Sequence, residues 1–493
     1  MVKQTRNTDQ YSESEEFFDA DQAIQRLKDI YQNSIALIKE SFAQLIAGDL
    51  TATQPVEACY PHISINIGPE KLDATDATLS YGIVDAPGLY GTTITKPSLF
   101  EDYLKEQITL LLKNYGGPIL IRRSRRRIPW HFAGLESPDS QFTPEQLKQF
   151  RLGFVHPDLK RIDDEVVNHT FEVRERGEFP LALFDAERVD YSLYRLYHYT
   201  GTNPKHFQNF IVLTNYQRYM EAFYNYSQEQ LIDGHYSSLI EPGDVVKTAS
   251  KNKEISTNGQ PPKHLPQMPT YHLKRSDKNG ISFINIGIGP TNAKNITDHL
   301  AVLRPHCWLI LGHCAGLQRS QILGDYILAH GYVREDGVLD QDLPLWVPVP
   351  PIAEVQVALQ EAVAQITGLQ PHQLKTRMRT GTVVTTCNRN WELRSRELHE
   401  RFNQSRAIAL DMESATTSAN GLRFRVPYGT LLCVSDKPVH GEIKLRNMAN
   451  AFYESRVDQH LKIGLKAVDI LRERGTTTLH SRKLRGFNEP PFR

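Results

Sequence analysis

Five apolar runs, each broken off by small or polar residues, constrain this chain more than any other feature. They are Phe210-Ile-Val-Leu-Thr-Asn215, Phe283-Ile-Asn-Ile-Gly-Ile-Gly-Pro290, Trp308-Leu-Ile-Leu-Gly-His-Cys-Ala-Gly316, Ala407-Ile-Ala-Leu-Asp-Met-Glu-Ser414 and Leu431-Leu-Cys-Val-Ser-Asp-Lys-Pro438. Runs of this length, bounded by Gly, Pro or Asn and followed by helical patterns, read as buried strands of a mostly parallel sheet. Ligands of such sheets bind outside the carboxyl ends of the strands, so the five clusters are expected to face one crevice. The last two runs end in acids, so that crevice would hold two carboxylates beside glycine-lined backbone.

The chain has 493 residues, more than one core usually supports, and two domains are the default expectation. Its 57 basic and 57 acidic residues cancel. That balance argues against a nucleic-acid binder working by broad phosphate neutralisation, and leaves small molecules or other subunits as partners. The five cysteines (Cys59, Cys307, Cys314, Cys387, Cys433) form no CxxC pair, and several fall inside apolar runs. Buried reduced thiols and a cytoplasmic location are expected, with no metal site. No apolar stretch is long enough to span a membrane, and Met1-Val-Lys-Gln-Thr-Arg-Asn7 has no signal-peptide core.

Along the chain, residues 1–18 read as a disordered terminus. Asp19 to about Ile46 reads as a helix, because Ile24, Leu27, Tyr31, Ile35, Ile38 and Phe42 recur at helical spacing. Residues 19–180 form an α+β pattern, with strand-like pieces at 62–67, 80–84, 91–94 and 117–121 and a helix over 99–113. Its loops are expected to hold Lys96 and the run Arg122-Arg-Ser-Arg-Arg-Arg127. Such a run is commonly a solvated face; clustered Arg also suits an anion. From 181 to 493 strand and helix alternate, with helices expected over 291–303, 351–367, 391–403 and 448–474 and a strand over 381–386. Residues 250–268, rich in Lys, Asn, Pro and Gly, read as a surface insertion or lid.

These residues carry a resemblance. Ala407 to Ser414 followed by Leu432-Cys-Val-Ser-Asp436 resembles the Met-Glu and Ser-Asp signature pair of the nucleoside phosphorylase and nucleosidase superfamily. Gly287-Ile-Gly-Pro290 and Gly312-His-Cys-Ala-Gly316 resemble its two glycine turns, in the same order. Tyr90-Gly-Thr-Thr-Ile-Thr-Lys-Pro97, Phe184-Asp-Ala-Glu-Arg-Val-Asp190, Thr214-Asn-Tyr-Gln-Arg-Tyr219, Asp436-Lys-Pro-Val-His-Gly-Glu-Ile-Lys444 and His480-Ser-Arg-Lys-Leu-Arg485 are similar to the bacterial AMP nucleosidase family over nearly the whole chain. The resemblance implies an α/β, nucleoside phosphorylase-like three-layer catalytic domain with a mostly parallel mixed sheet, plus a smaller N-terminal α+β domain. It implies hydrolysis of AMP to adenine and ribose 5-phosphate in purine salvage, in a homo-oligomer, expected to be a hexamer. It also implies no cofactor for catalysis, with Mg-ATP as allosteric activator and phosphate as inhibitor. A phosphate-dependent purine nucleoside phosphorylase is the alternative reading.

Adenine leaves badly as an anion, so breaking its glycosidic bond needs a proton on the base while the ribose gains oxocarbenium character. Asp436, an acid at a strand end, is the expected proton donor; helix capping is the plainer use of such an Asp. Glu413 would accept hydrogen bonds from the ribose hydroxyls, and Met412 would pack beneath the sugar or base unless it is ordinary core. Arg218, which could equally be a helix-surface residue, and Thr214 would hold the phosphate, with added contacts from Gly312 and His313. Asp411 is left out of the catalytic set. Thr93, Lys96 and Arg122 are the candidate effector contacts in the N-terminal domain. The chain departs from the family pattern at Cys387-Asn388, where acids are expected, and at Ala315, where Gly is usual. Ile310 stands where the superfamily's phosphorylases carry an arginine, which favours water over phosphate as nucleophile.

Overall fold

The computed structural model describes residues 14–48, 54–72, 80–136, 142–173, 177–443, 446–479 and 484–493, without the side chains of 446–455. The chain divides into two compact units, 1–191 with 486–493, and 192–485. This division falls after residue 191, eleven residues beyond the boundary expected at 180. The last eight residues also return to the first unit. Phe492 N donates to the Leu181 carbonyl at 3.1 Å and Arg493 N to Gln107 Oε1 at 2.8 Å.

In the first unit, helix α1 (Ala20–Ala47) starts where the Asp19 carboxylate accepts from Gln22 N at 2.9 Å, and stops at Gly48 in the left-handed region. Its apolar spacing serves two clusters. Ile24, Leu27 and Ile30 pack with Ile63, Ile65 and Leu111, while Ile38 and Leu45 pack with Trp130, Phe150 and Phe154. Five strands, β1 (Glu15–Phe17), β2 (Cys59–Ile67), β3 (Gly88–Thr93), β4 (Ile119–Arg127) and β5 (Phe179–Pro180), form a sheet in the order β1-β4-β2-β3-β5. Helices α2 (Glu101–Tyr115) and α3 (Pro144–Gly153) complete the regular elements, and α4 (Ala186–Thr200) contains the boundary between units.

Three expectations are corrected here. The expected disordered terminus lies outside the described residues over 1–13, but Glu15–Phe17 pair with Ile119–Ile121 as a strand. Residues 80–82 form bends and 83–84 are irregular, with no strand. The arginine run is no loop: it is the second half of β4, paired to β2 with Arg122 opposite His62 and Arg127 opposite Cys59. Glu57 takes Arg127 and Asp185 takes Arg126, so two of the five arginines are paired with acids where they lie.

The second unit is built on an eleven-stranded mixed sheet: β6 (Phe210–Thr214), β7 (Ser238–Glu241), β8 (Val245–Ala249), β9 (Ile255–Asn258), β10 (Thr270–Lys274), β11 (Ile281–Asn285), β12 (Cys307–Gly316), β13 (Tyr326–Glu335), β14 (Met378–Thr386), β15 (Ala407–Asp411) and β16 (Tyr428–Asp436). Their order is β15-β14-β13-β16-β12-β6-β11-β10-β7-β8-β9, and β15 also pairs with β12. Strands β12, β16, β13, β14 and β15 thus close into a ring, which leaves no open edge on that side. All five apolar runs form strands, and β11, β6, β12 and β16 lie side by side and parallel. Their carboxyl ends therefore point the same way. Helices α5 (Gln217–Ile232), α7 (Ala353–Thr367) and α10 (Arg446–Arg474) pack together, α6 (Pro290–Leu300) packs on α9 (Ser414–Phe424), and α8 (Ser395–Gln404) lies near β15. The stretch 250–268, expected as a surface insertion or lid, carries β9, an exposed edge strand hydrogen-bonded to β8.

Among the described residues, no helix is long and apolar enough to cross a membrane, and no group of three His, Cys, Asp or Glu side chains could hold a metal ion. All five cysteines are free thiols, Cys387 exposed and the others buried.

Candidate active site

The site grows from four strand ends. At the end of β15 the chain passes through half-buried Met412 to Glu413, which precedes helix α9. Two structural contacts aim the Glu413 carboxylate: Gly289 N donates to Oε1 at 2.7 Å, and Asn215 Nδ2 donates to Oε2 at 2.9 Å. Gly289 has φ +110°, where a side chain would be strained, so the glycine lets the backbone bring this N–H to the carboxylate. Asn215 follows β6 directly, and a Cβ on Gly312 of β12 would lie 3.6 Å from its Oδ1. Three strand ends thereby converge on one carboxylate.

Asp411 is the structural acid its exclusion anticipated. Its Oδ2 accepts from Ser414 N at 2.8 Å, capping α9, while the Thr385 hydroxyl donates to Oδ1 and accepts from Ala415 N. Burial, and then the neighbouring Asp411 charge, push Glu413 up to about 8; burial also raises Asp411. Near pH 7 the free site therefore holds Glu413 mainly protonated, and positive charge developing beside it is what favours the ionised form.

This shift has a consequence for stability. In the unfolded chain Glu413 would titrate at about 4.3. Below that value both states hold the proton. As pH rises toward 8 the unfolded state releases a proton that the folded state keeps, so this group's contribution is lost. Glu413→Gln has no such loss. Thermal melting at a series of pH values should therefore show the variant gaining on the wild type from about pH 5 to about pH 8 and levelling above. A difference flat with pH would mean that Glu413 titrates normally.

Asp436 ends β16, and the strand is adapted to present it. Val434 pairs with Cys314 but Asp436 pairs with Ala315, so Ser435 is an extra residue that re-aims the strand end. The Ser435 hydroxyl donates to Asp436 Oδ1 at 2.6 Å. The following turn is clamped: Lys437 Nζ donates to the Gln321 carbonyl at 2.8 Å and pairs with Glu442 at 2.6 Å, and Lys437 N reaches the Glu442 carbonyl. Asp436 precedes Lys437, which stands before the short 3-10 turn Pro438–His440, and no α-helix starts there, so Asp436 does not act as an α-helix cap.

The residues expected to take the phosphate are less fully assembled. Thr214 Oγ1 and Asn215 Oδ1 are buried without a hydrogen-bond partner among the described residues, a state that usually marks a place for a ligand or water. Arg218 is half-buried in the first turn of α5, just after that strand end. Met412 is half-buried beside Glu413. His313 Nε2 lies 3.4 Å from the Tyr219 hydroxyl. Ile310, buried between Leu213 of β6 and Thr430 of β16, lies inside the sheet. Ala315 stands where the bulge meets β15. Exposed Cys387 donates its N–H to Glu335.

Of the three effector candidates, two support the first unit. Thr93 Oγ1 accepts from Ala186 N at 3.0 Å at the start of α4, and Lys96 Nζ sits 2.5 Å from buried Asp190, which also accepts from Tyr60 and Thr95. Arg122 is half-buried on β4. The partners of Glu413, Asn215 and Gly289, were not singled out as functional from sequence. Both lie within the strand-end clusters, but only the fold shows that they meet one acid.

A mixed sheet in which β16, parallel to β12, ends in Asp436 while β15, antiparallel to β12, leads into the clamped Glu413 is the architecture of a phosphorylase-type α/β protein. The family model "Phosphorylase superfamily" matches residues 242–468, and the model "Bacterial AMP nucleoside phosphorylase N-terminus" matches residues 22–178. The chain is 46% identical over 483 residues to the AMP nucleosidase of Escherichia coli K12, covering 96% of this chain and 98% of that one, and matches the protein of E. coli O157:H7 to the same extent. The crystal structure of AMP nucleosidase from Bacteroides thetaiotaomicron is 28% identical over 58% of this chain and 98% of that chain, with a TM-score of 0.41. The chain belongs to the AMP nucleosidase family.

Proposed function

We propose that this protein hydrolyses the N-glycosidic bond of AMP, releasing adenine and D-ribose 5-phosphate as a step of purine salvage. The observation that carries the reading is Glu413, buried and held on both oxygens by Gly289 and Asn215, in a chain similar to AMP nucleosidases over nearly its full length. Each carboxylate oxygen keeps a second lone pair, which the ribose 2′ and 3′ hydroxyls would use. As the C1′–N9 bond stretches, the ribose becomes cationic and Glu413 stabilises it. Asp436 gives its proton to the adenine ring as the electron pair leaves with the base. Water then bonds to C1′. Buried Ile310 offers no cation for inorganic phosphate, which favours water over phosphorolysis.

Product analysis with AMP, adenosine and inosine monophosphate, with and without phosphate, tests the reading. Adenine and ribose 5-phosphate from AMP without phosphate are expected. A phosphate requirement, with a sugar 1-phosphate product, would make the protein a phosphorylase instead.

The AMP phosphate would lie against Thr214 and Arg218. Arg218→Ala should lower kcat/KM for AMP by about ten- to a hundred-fold, since a charge-assisted hydrogen bond contributes about 1.5–3 kcal/mol. Adenosine turnover should hardly change. Equal losses on both substrates would remove Arg218 from the phosphate pocket.

The reading extends to a cytoplasmic homo-oligomer, a hexamer, regulated through the N-terminal domain, residues 19–180, by Mg-ATP as activator and phosphate as inhibitor. Free thiols are consistent with a reducing compartment. Arg122 on β4 is the preferred effector contact, because Thr93 and Lys96 are engaged within their own unit. Adding ATP or phosphate to the same product assay, and measuring mass in solution, addresses both points.

A further inference from the structure

The second unit carries a cleft of about 500 Å³ whose lining includes none of the residues assigned to hydrolysis. It lies where the loop after β12, the start of β14, strand β15 and helix α7 meet. Leu374 and Met378 are buried in its wall, and Ile408 of β15 adds further apolar surface. Gln318 and Gln360 bring amides to it, and Lys375 and Arg379 are the charged groups of the lining. Lys375 is exposed and has no hydrogen-bond or ion-pair partner among the described residues. Arg379 donates to the Ser320 carbonyl at 3.1 Å, and its Nε, buried without a hydrogen-bond partner, lies 3.7 Å from Asp325. That fully buried acid also stands 3.8 Å from Arg377. One carboxylate thus faces two guanidiniums while Lys375 has no acid, which leaves the field at the cleft positive.

We propose that this cleft is a second ligand site, apart from the site of hydrolysis, for a phosphate ester with a flat apolar body, the chemistry of a nucleotide. Two cations match a phosphate dianion, whereas a single carboxylate would leave one of them without a counter-charge. Apolar walls with a few polar groups, enclosing roughly 300–1,000 Å³, are the usual make-up of a small-ligand site. Gln360 is exposed on α7 with no hydrogen-bond partner among the described residues, so its amide offers a donor and an acceptor to the edge of a base. The cleft also reaches the catalytic strands. Gln321, buried in its wall, accepts from Lys437 Nζ on its carbonyl at 2.8 Å and donates from Nε2 to the Ile408 carbonyl at 2.9 Å. Gln318 Nε2 donates to the Ala407 carbonyl at 3.2 Å. The first of these contacts holds the turn after Asp436, and the other two hold β15, which leads to Glu413. A ligand against Gln318 and Gln321 therefore steadies the turn at 437–442.

Photolabelling of the full-length protein with an azido-adenosine triphosphate, followed by peptide mapping, reads the site directly. Label is expected within residues 318–321, 357–361 or 371–380, and label confined to other segments overturns the proposal. Equilibrium dialysis with ATP then gives the affinity. Lys375→Glu replaces an unpaired cation by a charge that repels phosphate, and should raise the Kd of this site by about ten-fold or more. Gln360→Trp fills the cleft without altering a charge and should weaken ATP to a similar extent. Melting curves confirm that each variant folds, and unchanged binding in both folded variants overturns the site. Inorganic phosphate, which has no apolar body, should bind about ten-fold more weakly than ATP; equal binding would overturn the nucleotide class. Hydrogen exchange tests the link: ATP should slow exchange at 318–321 and 437–442 in the wild type but not in Lys375→Glu, and an unaffected turn would overturn it. The site does not depend on the AMP-hydrolysis reading. Should the wild type release no adenine from AMP, that reading falls, while the labelling still decides whether the cleft binds a nucleotide.

Discussion

Asp436→Asn should lower kcat for adenine release by about 10²- to 10⁴-fold while leaving KM for AMP within a few-fold of wild type. The amide fills the same space at the end of β16 and can still accept from the Ser435 hydroxyl at 2.6 Å. The clamp of Lys437 on Gln321 and Glu442 does not involve the Asp436 side chain, so the turn should keep its shape. What the amide lacks is an acidic proton for the purine ring. Steady-state kinetics with AMP, and a melting curve to confirm folding, make the comparison. Near-normal kcat in a folded Asp436→Asn protein would require another acid.

Glu413→Gln is expected to lower kcat by about 10²-fold, with a smaller change in KM. One amide oxygen can still accept from Gly289 or Asn215, but the NH₂ group then faces the other donor. The larger loss is electrostatic. A carboxylate in a site that excludes water stabilises a forming oxocarbenium ion far more than a neutral amide does, and it does so mainly in the transition state. Loss confined to KM would reduce Glu413 to a hydroxyl-positioning group. The pH dependence of melting separately tests whether the acid is as desolvated as its burial implies.

Much of the second unit was legible because its strands are buried on both faces. Such strands must be continuously apolar, and all five runs from Phe210 to Pro438 appear as strands with their polar clusters at the carboxyl ends. Helices fared as well wherever a 3.6-residue pattern or a proline at the start was present, as in α1 and α7. Elements without such a pattern escaped. Strand β13 is interrupted by His330-Gly331, where the register with β14 slips, so its apolar run is too broken to read. The arginine run carries no apolar alternation of its own. It becomes a strand because β2 and β1 pair with it over Ile119–Arg127 and because Glu57 and Asp185 take part of its charge.

Residue types and their local order therefore determined which side chains are able to do chemistry: an acid after each of two apolar runs, glycines where backbone must approach, and an arginine after the first strand. Only tertiary structure decided which of them meet. Asn215 and Gly289 lie 198 and 124 residues from Glu413, yet both donate to its carboxylate. Tyr219 and His460 are 241 residues apart and share one hydrogen bond. Periodicity records how a segment contacts its surroundings within a few residues. The desolvation that raises Glu413 arises only when distant segments exclude water together, and no local pattern encodes that.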